Sequence, residues 1–102
     1  MSNVKLNPVQ IDAGMKLLNQ WTYIALESCI VKEWEFGNFK TAMTMLVKVG
    51  QLAESQNHHP EMLSRFTRVL LKLSTHDAQG LTEKDFAMAQ AIDKLVAQEF
   101  SS

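Results

Sequence analysis

The chain has one cysteine, four glycines and two prolines, and each scarcity removes a class of function. Cys29 alone cannot close an internal disulfide, so nothing staples the fold, and a reducing compartment fits. It falls in a predicted hairpin with no evident base beside it, and no G-x-S-x-G elbow is present, so covalent catalysis has no support. The scattered glycines form neither a phosphate loop nor a dinucleotide fingerprint, which leaves nucleotide cofactors without support as well. Positive charge is not in excess: 10 Lys and Arg stand against 11 Asp and Glu, for a net charge of -1. Interspersed signs of this kind make no basic field for a polyanion, so direct nucleic-acid binding is not expected. No stretch approaches a membrane span, and "MSNVKLNPVQ" lacks the apolar run of a signal peptide. The expectation is a soluble, cytoplasmic protein without a membrane partner.

What is present suits one compact domain over residues 1–102. A chain of this length buries roughly two-thirds of its unfolded surface. Its 46% hydrophobic and 21% charged residues are ordinary for a globular protein, with disorder confined to a few terminal residues. Asn7-Pro8 is a helix start, because Asn caps and Pro fits a first turn where its N–H would be unpaired. Ile11, Met15 and Leu18 then predict a helix over 8–20. "WTYIALESCIVKEWEF" (21–36) is aromatic and β-branched, and reads as a hairpin turning at Glu27 and Ser28. After Gly37-Asn38, the residues Phe39, Ala42, Met43, Leu46, Val49 and Ala53 predict an amphipathic helix to about Gln56, where the approaching Pro60 disfavours helical geometry at His59.

"EMLSRFTRVLLKLSTH" predicts two strands with a turn near Thr67 and Arg68, the last strand ending at His76. Thr82 and Asp85 cap a final helix to about Gln98, although the stricter capping box would carry Glu or Gln. Phe86, Ala89, Ile92 and Val96 form its apolar face. The order αββαββα implies an α+β fold, a four-stranded antiparallel sheet with helices packed on one face. The ββα pattern occurs twice without a convincing sequence repeat.

All three histidines fall within one short stretch: His58 and His59 in "ESQNHHPEM", and His76 in "KLSTHDAQGL". His58 and His59 leave a helix and His76 closes a strand, and such element ends are where a scaffold exposes polar groups. Three imidazoles with Glu54 or Asp77 have the ligand count of a zinc site. The spacing argues against it, since adjacent histidines diverge and neither H-E-x-x-H nor paired cysteines occur. Histidines of a surface loop without a task are the plain alternative. General acid/base chemistry on a small substrate is the sharper one, because imidazole both donates and accepts protons near neutral pH. Spacing goes no further.

The residues "AESQNHHPE" and "LSTHDAQGLTEKD" resemble the pterin-4a-carbinolamine dehydratase family. The shared features are Glu54 four residues before the first His, the H-H-P triplet, an aromatic at Phe66, Thr75-His76, Gly80-Leu81-Thr82 and Asp85. The similarity reaches upstream through "WEFGNFKTA" and covers roughly Trp21 to Leu95. The resemblance implies the same αββαββα fold and the removal of water from 4a-hydroxytetrahydropterin, giving quinonoid dihydropterin. This dehydratase reaction recycles the cofactor of an aromatic amino acid hydroxylase. The pterin is then the substrate, and no metal or other cofactor is required.

On that resemblance His58 and His76 give protons to the departing hydroxyl, and His59 binds and orients the pterin. Pro60, Thr75, Asp77 and Ala78 form pocket walls, with backbone groups around Thr75 to Ala78 offered to the pterin's polar edge. Glu54 either hydrogen-bonds a histidine and tunes its basicity or is a solvated helix-end charge, while Phe66 is assigned to core packing. Asn57 stands where family members often have an acid, removing one charge partner for the imidazoles. Lys84 stands where an arginine commonly precedes Asp85, and keeps the charge without bidentate geometry. The family also implies a homo-oligomer, dimer or tetramer. Some animal members act as dimerisation cofactors of a homeodomain transcription factor, so an interaction role is the rival reading, through an apolar face around Met43, Met45 and Leu46. A homologue acting on another pterin is the third.

Overall fold

The computed structural model describes residues 4–100; the terminal positions read as disordered lie outside them. The elements are α1 (Pro8–Met15), β1 (Thr22–Ile24), β2 (Cys29–Glu35), α2 (Phe39–Gln56), β3 (Glu61–Arg65), β4 (Arg68–Leu73) and α3 (Glu83–Phe100), with single 3-10 turns at Ala25–Glu27 and His76–Ala78. The four strands form one antiparallel sheet in the order β1-β2-β4-β3. Order and sheet are those expected from the sequence.

Asn7 and Gln10 close a reciprocal capping box at the start of α1, each side-chain oxygen accepting the other's backbone N–H. The helix stops at Met15 and does not run to Gln20. The N–H groups of Leu17 and Leu18 bond to the carbonyls of Gly14 and Met15, three residues back, which tightens the backbone. Gln20 then takes a left-handed φ of 67° and delivers Trp21 to the core. Leu18 keeps the apolar period through this turn, so periodicity alone overran the helix. Gly14 is where α1 meets α3, since a Cβ there would stand 2.8 Å from the Phe86 ring.

Register separates the two faces of the sheet. Ile30 faces Leu73, Lys32 faces Leu71 and Trp34 faces Val69, and this face forms the core with Ala42, Met45, Val49 and Ala53 of α2 and Met88, Ala89 and Ile92 of α3. The alternate pairs, including Glu33 with Leu70 and Glu35 with Arg68, form the opposite face, as an antiparallel sheet covered on one side requires. Met45 and Met88 are fully buried, whereas Phe39 and Met43 of the expected α2 stripe are exposed. Met45 therefore belongs to the core and is not available to a partner. Lys32 is tolerated on the core face because its Nζ donates to the Asn19 carbonyl at 2.8 Å and to Asp93 Oδ1 at 2.9 Å. Trp21 Nε1 donates to the same carboxylate.

Two expectations near the hairpin ends fail. Phe66 is 73% exposed, because the β3–β4 connection needs a left-handed residue and Phe66, at φ 56°, supplies it. Its ring turns outward and stacks on Phe39. The last strand ends at Leu73, not His76: Thr75 pairs across a short loop with Gly80, so His76 opens a 3-10 turn.

Candidate functional site

The histidine pair is aimed by the way α2 ends. Asn57 caps the helix in the left-handed conformation, at φ 52° and ψ 42°, and the His58 N–H closes back on the Ala53 carbonyl at 3.1 Å. This bond is the six-to-one closure of a Schellman motif, in which Asn is one of the few residues that accepts the left-handed position. Asn57 thus has a backbone task, although no acid stands there.

The chain beyond is extended, and the two imidazoles diverge. His58 turns inward, its side chain 11% exposed, and its Nε2 lies 2.7 Å from Oδ1 of the fully buried Asp85. His59 turns outward and pairs through Nε2 with Glu54 Oε2. Of the two readings of Glu54, the histidine partner is the one the geometry supplies, although both groups are exposed. Asp85 is held by more than His58. It sits on the first turn of α3, and its Oδ2 accepts the Thr82 N–H at 3.0 Å, so an aspartate closes the capping box in place of a glutamate. Thr75 Oγ1 donates to the same oxygen at 2.7 Å.

These groups face one cleft. A cavity of about 300 Å³ is lined by Asn57, His58, His59, Ser74, Thr75, His76, Asp77 and Lys84. A second, of about 390 Å³, is lined by His59, Pro60, Glu61, Lys72, Ser74 and His76. His59, Ser74 and His76 line both, so the two lobes meet along them. Of the residues singled out from the sequence, His58, His59, Thr75, His76 and Asp77 share the first lobe, and Pro60 lies in the second. Ala78 lines neither. Its N–H donates to the Thr75 carbonyl and the Thr75 N–H to the Gly80 carbonyl, which withdraws both donors from the set expected to meet a ligand.

Lys72, Ser74 and Thr82 were not anticipated as members of the site. Ser74 and Lys72 differ in parity on a strand read only for its apolar face. Thr82 is visible in the sequence as a helix cap, but not as a neighbour of His58. Lys72 donates to Glu27, and that bond raises its pKa above the ordinary lysine value. Cys29 beside it is fully buried, and burial pushes its thiol up, opposite to the shift of a nucleophile. Among the described residues no group of three or more His, Cys, Asp or Glu is placed to hold a metal ion, and no helix is long and apolar enough to cross a membrane.

An inward imidazole on a buried carboxylate, a second imidazole on an exposed one, and a third on a turn across the same cleft form an array for proton exchange with a small polar ligand. The relatives of this chain carry names for such chemistry. It is 40% identical over 92 residues to a protein of Christiangramia forsetii, covering 90% of this chain and 93% of that one. It is 40% identical over 98 residues to one of Rhizobium rhizogenes, covering 96% and 97%. Both are provisionally named pterin-4-alpha-carbinolamine dehydratase. Among solved structures, the transcriptional coactivator/pterin dehydratase from Brucella melitensis superposes with a TM-score of 0.85 at 27% identity, over 89% of this chain and 97% of that one. A pterin dehydratase-like protein identified as a RuBisCO assembly factor in the alpha-carboxysome shares the fold, with a TM-score of 0.67 at 24% identity over 82% and 94%. The family model for pterin 4 alpha carbinolamine dehydratase matches residues 4–95, and the chain belongs to that family.

Proposed function

We propose that this protein removes water from 4a-hydroxytetrahydropterin to give quinonoid dihydropterin, recycling the cofactor of an aromatic amino acid hydroxylase. The observation that supports it best is the convergence of His58, His59 and His76 on one cleft. The C4a–O bond breaks, and the hydroxyl takes a proton from an imidazolium and leaves as water. The lone pair of the adjacent ring nitrogen forms the new C=N bond, and that nitrogen gives its proton to a neutral imidazole. Proton number balances, and no redox partner is involved. The pterin is the substrate, and the chemistry calls for no other cofactor.

His58 and His76 serve as the proton-exchanging pair. His58 is suited to the cationic form because Asp85 stands directly against it. His59, outward and on Glu54, binds and orients the ring, with Pro60, Thr75 and Asp77 as walls. Positioned proton transfer supplies about 10²- to 10⁴-fold, and orientation adds to it, enough for an elimination that is feasible unaided. Following the absorbance decay of enzymatically generated 4a-hydroxytetrahydropterin tests this directly. Acceleration by catalytic amounts of protein is expected, and none by folded protein sinks the proposal.

Self-association is a second reading with its own support. β3 is an edge strand with every residue exposed. Pairing two copies antiparallel about Leu63 sets Glu61 of each against Arg65 of the other, so the edge is complementary to itself in charge. The exposed Phe39, Met43, Val47 and Phe66 add apolar surface on α2 and the hairpin tip. A dimer by light scattering is expected, weakened by Glu61→Lys and restored by Glu61→Lys with Arg65→Glu. A monomer at high concentration excludes the pairing.

A further inference from the structure

Behind His58 lies a buried row of side chains to which the dehydratase reading gives no task. The hydroxyls of Thr75 and Thr82 are 2.7 Å apart, both residues are buried, and the Lys84 N–H donates to Thr82 Oγ1 at 3.2 Å. Asp85 Oδ2 receives the Thr75 hydroxyl at 2.7 Å and the Thr82 N–H at 3.0 Å. These contacts fix the direction of each proton. Thr82 donates to Thr75, and Thr75 donates to Asp85. The reverse direction would take the Thr75 proton away from Oδ2 and put a proton on a carboxyl oxygen that already accepts an N–H. A charged Asp85 is also favoured by its place in the first turn of α3.

With Oδ2 so occupied, Oδ1 faces His58 Nε2 at 2.7 Å as an acceptor. Nε2 therefore carries hydrogen. A neutral imidazole has one N–H and one lone pair, so the lone pair resides on Nδ1. No buried side-chain nitrogen or oxygen among the described residues lacks a partner. The one contact made by the His58 ring is through Nε2, which leaves Nδ1 open to the cleft that His58 lines.

We propose that Thr75 and Thr82 are positioning residues: by holding Asp85 as an acceptor they set neutral His58 as the Nε2–H tautomer and make Nδ1 the atom that exchanges protons with the ligand. The identity of the ligand rests on the dehydratase reading, but the tautomer does not.

Nitrogen-15 NMR of the labelled full chain reads both, with the His58 signals assigned by comparison with His59→Gln and His76→Gln. In mildly alkaline solution the wild-type His58 is expected to show a protonated Nε2 and an unprotonated Nδ1. Thr75→Val, which keeps shape and loses the donor, should mix the two tautomers and lower kcat about ten-fold while KM stays within about two-fold, as expected for a lost hydrogen bond to a charged group. Thr75→Ser should restore both readouts, which a purely structural role for the threonine would not require. A wild-type His58 protonated mainly on Nδ1 overturns the proposal. So does an unchanged tautomer in folded Thr75→Val. The wild-type spectrum needs no variant, so a valine protein that fails to fold leaves the test intact. Wild-type protein with the Nε2–H tautomer but no dehydratase turnover upholds this proposal and refutes the activity beside it.

Discussion

Replacing Asp85 by alanine separates a site tied into the fold from one resting on its surface. Asp85 is fully buried and accepts from Thr75, from the Thr82 N–H and from His58. In the variant the Thr75 hydroxyl can swing to Thr82 Oγ1, 2.7 Å away, so its loss is small. The Thr82 N–H has no such substitute, and an orphaned buried donor costs about 1–3 kcal/mol. A charge-assisted hydrogen bond to His58 is worth about 1.5–3 kcal/mol more. The sum, about 3–5 kcal/mol, matches what breaking a buried pair costs and is a large share of a domain stability of about 5–15 kcal/mol. With a urea slope of about 1–3 kcal/mol/M, the unfolding midpoint should fall by roughly 2 M. Urea titration followed by tryptophan fluorescence and far-UV circular dichroism measures it. A midpoint within about 0.5 M of wild type would refute the view that this carboxylate binds α3 to the histidine turn.

Other outcomes follow from the same geometry. His58→Ala and His76→Ala should each lower kcat by about 10²- to 10⁴-fold, with stability changes far smaller than those of Asp85→Ala, checked by steady-state kinetics beside urea titration. His59→Ala should raise KM at least as much as it lowers kcat, since His59 is assigned to binding. Phe66→Gly should match or exceed wild type in stability, because glycine relieves a left-handed strain of about 1–2 kcal/mol; a loss of more than about 2 kcal/mol would restore the core reading. Cys29 should resist alkylation in native protein and react on unfolding. Its thiol pKa is raised in the fold, so the folded state keeps the proton longer. The stability linked to this group is present below the unfolded pKa and is lost as pH rises through the folded one.

The sequence carried α2 to its observed bounds because Gly37-Asn38 and the approach to Pro60 punctuate it on both sides. It overran α1 because Leu18 keeps the helical period in a stretch where the backbone has already tightened. Phe66 was misplaced for a related reason. Residue type argued for burial, whereas the turn demanded a left-handed residue whose side chain points away from the core. The histidine cluster was visible as local spacing, and the pairing of His59 with Glu54 spans only the end of one helix. The partnership of His58 with Asp85 joins residues 27 apart. Local chemistry showed Thr82 and Asp85 only as a helix cap, and the resemblance added Asp85 to the site without saying what it touches. That one helix cap should also hold a histidine from another element depends on how α3 packs against the end of α2, which no local pattern encodes.

The most direct measurement is the first-order decay of freshly generated 4a-hydroxytetrahydropterin in the presence of wild-type protein and of the His58→Ala/His76→Ala double variant, each checked for fold by circular dichroism. Wild-type protein should accelerate the decay in proportion to its concentration, and the double variant should return it to the uncatalysed rate. Equal rates with wild type, with the folded double variant and with buffer alone would contradict a dehydratase built on these imidazoles.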